Sequence, residues 1–588
     1  MKTMGMKISM LYPKIVKWVN GNKIDIAIFI VMFINLAYMH YEVFFSRHSH
    51  VGLRPYYDPI VFMIFDVLWT ILLFSLITLR NKTATYITSY ILLFVIEIGN
   101  IVYSRFFNSY LTLSALGQAD NFKELWWLPY VDKAFEWTDL LLVVNTIIFC
   151  FLILKNKKSP DRINLKLLCV CILTFGLFHM TIGTKIMNYT KLSSYLDYKG
   201  WYSKKIGHRF QREFIYDQDR KISRCGIIRT QIICNILNLR KDYTLSTDEV
   251  NLISEYLTRN NGKLKTDQII KGTPNVVFVL IESWLSICSN MKINGVEVTP
   301  NINKLLKENS TYYNGNVISN RGNGTSSDAQ ISYFTGNLPQ KHETSFSHIL
   351  KNKCIAFPQL LRDIKGYSTY LTLPTEAHFW HQNELNPKYG IDSMHALGWC
   401  CDKDVFTDAI TWNKEFKRPY LHIILTISTH APYEEYLLKE DDKFYPFSYT
   451  KEHSKEFIIY LKQCYYTDYY LGKYIEYLKS QKEYDNTVFI ITSDHEPVGD
   501  VLNTNIEELN NNNLPLIITN INKSLSMYNG EMNQIDLYPT LLDLFSIETH
   551  WRGVGKSILR DDYTYHISDD TKTIANKILQ GDYLKYVE

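Results

Sequence analysis

Three apolar segments of this chain end in side chains able to hold a metal ion or move a proton. "NVVFVLIES" ends at Glu282, "LHIILTISTHAPY" carries His430, and "TVFIITSDHEP" carries Asp494 and His495. A fourth segment, "RGNGTSSDAQ", places the hydroxyls of Thr325, Ser326 and Ser327 between glycines and Asp328. Glu, Asp and His with a hydroxyl form an oxygen-and-nitrogen donor set suited to Zn²⁺ or Mn²⁺. A hydroxyl at such an ion is deprotonated more readily and becomes a competent nucleophile. Taken singly, each segment is equally well a helix cap or an ion pair. Their convergence decides the matter.

That convergence requires a particular scaffold. "NVVFVLI", "YLHIILTIS", "TVFIIT" and "LPLIIT" are apolar without polar alternation, so they read as strands buried on both faces. Helical patterns lie between them, the longest spanning roughly residues 451–481, and "QIDLYPTLLDLF" follows the last strand. The expected fold is an α/β sandwich with a largely parallel sheet, whose ligands sit at the carboxyl ends of the strands. "SDAQISYF" reads as a helix start, and a helix N-terminus favours a phosphate or sulfate ester. Asp536, in "QIDLYPT", reads as another helix start. Which of the three hydroxyls serves as nucleophile stays open on these grounds.

At 588 residues the chain is too long for one ordinary domain. Its net charge of +4 does not suggest nucleic acid as a partner. Ten cysteines without CxxC pairs argue against a zinc ribbon or a disulfide framework. They read mainly as buried thiols, although Cys400-Cys401 and some singletons could pair in an oxidising compartment.

Five apolar stretches have the length of membrane spans: Ile24–Phe45, Ile60–Leu79, Thr85–Tyr103, Trp137–Leu154 and Leu165–Thr184. Lysines 2, 7, 14, 17 and 23 place the N-terminus in the cytoplasm, and basic loops after the second and fourth spans agree. Everything after Thr184 then lies outside. Trp126, Trp127 and Trp137 suggest an interfacial helix, and Asp66 and Glu97 interrupt the second and third spans. The expected organisation is a five-helix transmembrane bundle over residues 1–184, amphipathic linker helices over 185–270, and an extracytoplasmic catalytic domain over 271–588.

The motifs "NVVFVLIES", "GNGTSSDAQ", "FWHQ", "THAPY", "TSDHEP" and "QIDLYPTLLDLF", in this order behind five spans, resemble the lipoteichoic acid synthase and phosphoglycerol transferase group of the alkaline-phosphatase-like (sulfatase-like) superfamily. The resemblance covers nearly the whole chain. It implies Ser326 as nucleophile, with Thr325 or Ser327 as fallback, and Glu282, Ser326, Asp494 and His495 as ligands of one divalent Mn²⁺ or Zn²⁺. It further implies His430 as a substrate-side catalytic histidine, with Trp380, His381, Gln382 and Asp328 on the substrate side. Gln382 stands where the family has an Arg, which removes a bidentate phosphate donor; His378 or His381 could partly replace it.

The implied activity moves a phosphoglycerol-type headgroup from a phospholipid to a cell-envelope glycan or lipid through a covalent phosphoserine. The alternatives are phosphoethanolamine transfer to an envelope glycan or lipid A, for which Ser327 would be the nucleophile, and hydrolysis with water as acceptor. An inactive membrane scaffold would require a missing ligand, and none is missing. The implied location is the bacterial inner (cytoplasmic) membrane, multi-pass, with the catalytic domain periplasmic or extracellular.

Overall fold

The structure is a computed structural model. It describes residues 22–45, 58–107, 110–111, 134–156, 162–163, 165, 168–170, 172–173, 227–228, 244–258, 262–265, 270, 272–320, 322, 324–340, 344–431, 433–450, 453–497, 512–521, 528–565 and 567–587. These fall into two compact units, one ending by Lys241 and one beginning at Asp242.

In the first unit the helices are α1 (Lys23–Phe45), α2 (Asp58–Ile77), α3 (Lys82–Phe107) and α4 (Leu140–Asn156). Among the described residues, three segments are long and apolar enough to cross a membrane: Lys23–Val43, Lys82–Arg105 and Trp137–Lys155. The second expected span coincides with α2, while most of the fifth, and the helix carrying Trp126 and Trp127, lie outside the described residues.

The helices alternate in direction. Lys82 Nζ sits 2.8 Å from Asp25 at one end of the unit. At the other end Arg105 bridges Glu42 at 3.1 Å and Asp139 at 2.7 Å. Between these ends, Asn145 donates to Asn35 at 2.7 Å and Asn35 to Tyr90 at 3.3 Å. Such contacts hold helices together where lipid supplies no hydrophobic drive. Asp66 and Glu97 are both buried, as their places in apolar helices require.

The second unit opens with α5 (Thr247–Thr258). Its Tyr256 hydroxyl donates to Thr571 at 2.8 Å, and Lys577 reaches Glu249 at 3.0 Å. α5 therefore packs with the C-terminal residues of this unit, although its sequence reads as linker.

An eight-stranded sheet follows. In chain order its strands are β1 (Asn275–Ile281), β2 (Tyr312–Ile318), β3 (Ser368–Leu373), β4 (Ser393–Ala396), β5 (Tyr420–Leu425), β6 (Thr487–Ser493), β7 (Leu514–Ile518) and β8 (Met532–Asn533). The helices that matter below are α6 (Pro300–Leu306), α7 (Ser326–Thr335), α8 (Gln382–Tyr389), α9 (Asp402–Trp412), α10 (Lys455–Ser480) and α11 (Leu537–Leu544). Spatial order across the sheet is β8-β2-β7-β6-β1-β5-β3-β4.

β1 is parallel to both β5 and β6, and β3 to both β4 and β5. β7, the "LPLII" strand, runs antiparallel to both neighbours, so the sheet is mixed but mostly parallel. Val276, Phe278 and Leu280 enter one apolar core, with α7 and α11. Val277, Val279 and Ile281 enter the other, with α6, α9 and α10. Alternate residues of a single strand thus feed two cores, which is why its sequence shows no polar face.

Candidate active site

The three central strands β6, β1 and β5 run parallel, so their carboxyl ends lie on one edge. Glu282 follows β1, Asp494 and His495 follow β6, and Thr426 to His430 follow β5. Glu282, Asp494 and His495 are buried, and each presents a donor atom within 4.8 Å of the others.

The turn after β1 is tight. Ser283 has φ of 48°, a conformation rare for a side chain with Cβ. It lets Ser283 Oγ donate to Glu282 Oε1 at 2.6 Å while its N–H donates to Asp494 Oδ1 at 2.8 Å. Thr426 Oγ1 accepts the Glu282 N–H at 3.0 Å, and Ser493 Oγ accepts the Trp284 N–H at 2.7 Å. β1 is therefore bound at its exit to both neighbouring strands.

His495 Nδ1 lies 2.8 Å from the carbonyl of Glu496 and must donate to it. That leaves Nε2 as the lone-pair nitrogen, 3.7 Å from Glu282 Oε1 and 3.5 Å from Asp494 Oδ2. An outer hydrogen bond of this kind selects the tautomer a metal-binding histidine needs. Burial, then the charge of Asp494, push the Glu282 carboxyl up to about 8. Two carboxylates and an imidazole nitrogen confined together fit one divalent cation, which would relieve that repulsion.

The hydroxyl loop resolves into three environments. Ser327 is buried, and its Oγ donates to Gly324 O at 2.7 Å inside the loop. Thr325 stands at the helix N-cap with φ of 41°, strained for a β-branched residue, and makes no capping hydrogen bond with its side chain. Ser326, the first residue of α7, directs Oγ to Glu282 Oε2 at 3.5 Å. Of the three, the structure turns Ser326 toward the acidic cluster.

Asp328 lies beneath the loop rather than on its open side. Its Oδ2 accepts the N–H groups of Gly322 at 3.1 Å and Gly324 at 2.9 Å, and the residue is only 1% exposed. This placement departs from the substrate-side position expected of it. A short acid two residues into a helix is well placed to tie down the turn before it.

His430 is partly buried, with Nδ1 against the carbonyl of Ala431. Burial holds its pKa below the ordinary histidine value, and nearby Asp494 opposes that shift. Trp380, His381 and Gln382 follow β3, beside β5 on the same edge. Trp380 and His381 both have positive φ and pack on Phe346. His381 Nδ1 lies 3.1 Å from Glu384, whereas Gln382 is buried and its Oε1 has no hydrogen-bond partner among the described residues.

Two supporting residues, Gln534 and Asp402, carry no sign of their role in the sequence. Gln534 donates to Asp494 O at 2.6 Å and accepts the Asn320 N–H at 2.6 Å. Asp402 accepts the N–H groups of Ile427 at 2.7 Å and Ser428 at 3.0 Å, fixing the path to His430. Asp536 stays structural, accepting from Tyr563 at 2.8 Å and from the Lys556 N–H at 2.8 Å.

Comparison with known proteins adds to this geometry. A sulfatase family model matches residues 274–547, and a model of the lipoteichoic acid synthase N-terminal domain matches residues 6–205. Lipoteichoic acid synthase of Staphylococcus aureus (strain USA300) is 25% identical over 495 residues, covering 79% of this chain and 72% of that protein. Among solved structures, lipoteichoic acid synthase LtaP from Listeria monocytogenes aligns with 58% of this chain and 98% of its own, at a TM-score of 0.45 and 20% identity. The Zn complex of the C-terminal periplasmic domain of EcEptC from Escherichia coli aligns with 52% of this chain and 91% of its own, at a TM-score of 0.38 and 15% identity.

Proposed function

We propose, for a chain that is a lipoteichoic acid synthase-like member of the alkaline-phosphatase superfamily, that Ser326 carries a phosphoglycerol-type group from a phospholipid to an acceptor hydroxyl of the cell envelope. The observation that carries this reading is Ser326 Oγ facing Glu282 beside Asp494 and His495. The protein is a membrane phosphotransferase of the sulfatase-like superfamily. Phosphoglycerol as the group, a glycan or lipid as acceptor, five spans, a cytoplasmic N-terminus and an outward catalytic unit are the finer parts of the reading.

Glu282, Asp494, His495 and Ser326 would hold one Mn²⁺ or Zn²⁺, which when bound lowers the pKa of the serine hydroxyl and offsets charge on the phosphoryl oxygens. Ser326 Oγ gives up its proton to solvent and attacks phosphorus, the bond from phosphorus to the diacylglycerol oxygen breaks, and a phosphoserine diester forms. The positive end of α7 faces the developing charge. His430, protonated on Nε2 for this step, delivers that proton to the departing diacylglycerol oxygen. In the second half the acceptor hydroxyl attacks the diester, His430 takes its proton, and Ser326 leaves as the alkoxide and regains a proton from solvent. Asp328 holds the loop so that Ser326, and neither flanking hydroxyl, meets the substrate.

The test is transfer from labelled phosphatidylglycerol and labelled phosphatidylethanolamine in vesicles holding the full-length protein. A product one glycerol phosphate heavier than the acceptor supports the reading. A product one phosphoethanolamine heavier moves it to the other headgroup, and free glycerol phosphate alone makes the enzyme a hydrolase.

A further inference from the structure

The segment that leaves Glu282 is gripped by one face of α10 at three successive places. Tyr460 donates its hydroxyl hydrogen to Ser283 O at 2.9 Å and accepts the Leu285 N–H at 2.9 Å. Asp468 accepts the N–H groups of Asn301 at 2.9 Å and Ile302 at 2.8 Å, at the start of α6. Midway, Cys464 Sγ lies 3.6 Å from Cys288 Sγ, and both residues are 0% exposed. Residues 460, 464 and 468 repeat every four positions, so they form one stripe on the helix.

The outer two grips are hydrogen bonds to backbone groups. As two thiols, the middle one would be weak, because S–H is a poor donor and sulfur a poor acceptor. Sulfurs already in contact and shielded from water need only a small side-chain rotation to reach bonding distance.

We propose that Cys288 and Cys464 are joined by a disulfide in the native protein, clamping the Glu282 turn to α10. The proposal rests on the outward placement of the catalytic unit, since such bonds persist in oxidising compartments. The bond forms before packing covers the pair. Two thiols lose two protons and two electrons, the sulfurs join, and the disulfide of a thiol–disulfide oxidoreductase accepts the electrons to become a dithiol. The closed loop spans 176 residues, long enough for a large restriction of the unfolded chain.

The experiment takes full-length protein from its own membranes, with thiols alkylated under denaturing conditions at lysis, and maps peptides without reductant. The expected species is a Cys288–Cys464 linked peptide two hydrogens lighter than the sum of its parts. Reduction, or Cys464→Ala, is expected to lower the melting midpoint of the catalytic unit by several degrees. Exposed Gln481→Cys, probed in intact cells with a membrane-impermeant maleimide, reports orientation separately. A labelled reporter with both native cysteines alkylated overturns the disulfide alone. An unlabelled reporter with both alkylated overturns the disulfide and the outward placement together. A linked peptide with an unlabelled reporter supports the disulfide and overturns the placement.

Discussion

Ser326 Oγ stands 3.5 Å from Glu282 Oε2, joining the start of α7 to the end of β1 across 44 residues of sequence. Neither residue is unusual alone. Their meeting depends on the loop before α7 and on the turn after β1, and each support can be tested by itself.

Asp328 is the first. Asp328→Ala would leave the N–H groups of Gly322 and Gly324 without their acceptor and release the loop. Misplacing a reacting atom by about an ångström costs roughly 10²-fold in rate. We expect kcat for transfer to fall by about that factor while the chain stays folded, with Asp328→Asn keeping more activity than Asp328→Ala. Steady-state transfer from labelled phospholipid, alongside a melting curve, checks this.

Gly324 gives a sharper contrast. A Cβ there would lie 2.4 Å from Asp328 Oδ1 and 2.7 Å from Ser327 Oγ, so Gly324→Ala must push the loop apart. At Gly366 a Cβ meets nothing within 4 Å, and only its φ of +72° resists substitution. Gly324→Ala should therefore abolish most transfer, whereas Gly366→Ala should cost about 1 kcal/mol of stability and leave kcat unchanged.

How much of this was legible beforehand follows from what each residue touches. β1, β5, β6 and β7 were readable because burial on both faces leaves no polar alternation. β2 escaped, since "YYNGNVI" is only partly covered and is broken by Asn314 and Gly315. The direction of β7 was hidden because an apolar run carries no sign of which way it points. The acidic and histidine residues were readable because they end buried strands. Gln534 and Asp402 were not, because they act on backbone groups of distant segments, and side-chain type alone does not reveal such a partner. Asp328 was visible, but the loop's own N–H groups claim it.

Gln534 supports the cluster from behind. It is only 1% exposed and holds the carbonyl of Asp494 and the N–H of Asn320. Gln534→Leu keeps the volume and removes these two bonds and the one that Gln534 donates to the Tyr333 hydroxyl at 3.1 Å. Outer supports of this kind typically carry 10- to 100-fold in metal affinity, so Mn²⁺ or Zn²⁺ binding should weaken by roughly that range. Competition against a calibrated chelator measures it, and unchanged affinity would remove Gln534 from the account.

His422 in β5 predicts a pH effect on stability. Burial, and then the charge of His395, hold it down at about 3, with Thr372 at 3.1 Å and the Tyr474 hydroxyl at 3.2 Å as its partners. The folded pKa lies below the unfolded value of about 6.5, so in acid the unfolded chain takes up a proton that the fold refuses. The contribution is complete above about 6.5 and is lost as pH falls, by up to about 1.4 kcal/mol per unit. His422→Gln should lower the melting midpoint at pH 7 yet flatten its decline between pH 6.5 and 5. Parallel slopes for the two proteins would contradict the assignment.

The central claim is that Ser326 becomes covalently bound to the transferred group. Full-length protein with Mn²⁺ and phosphatidylglycerol vesicles, quenched in acid before acceptor is added, should gain the mass of one glycerol phosphate less one water. That mass should map to the peptide containing Ser326, persist in Thr325→Ala and vanish in Ser326→Ala. An adduct of the same mass in Ser326→Ala, carried by Thr325, Ser327 or any other residue, would contradict it.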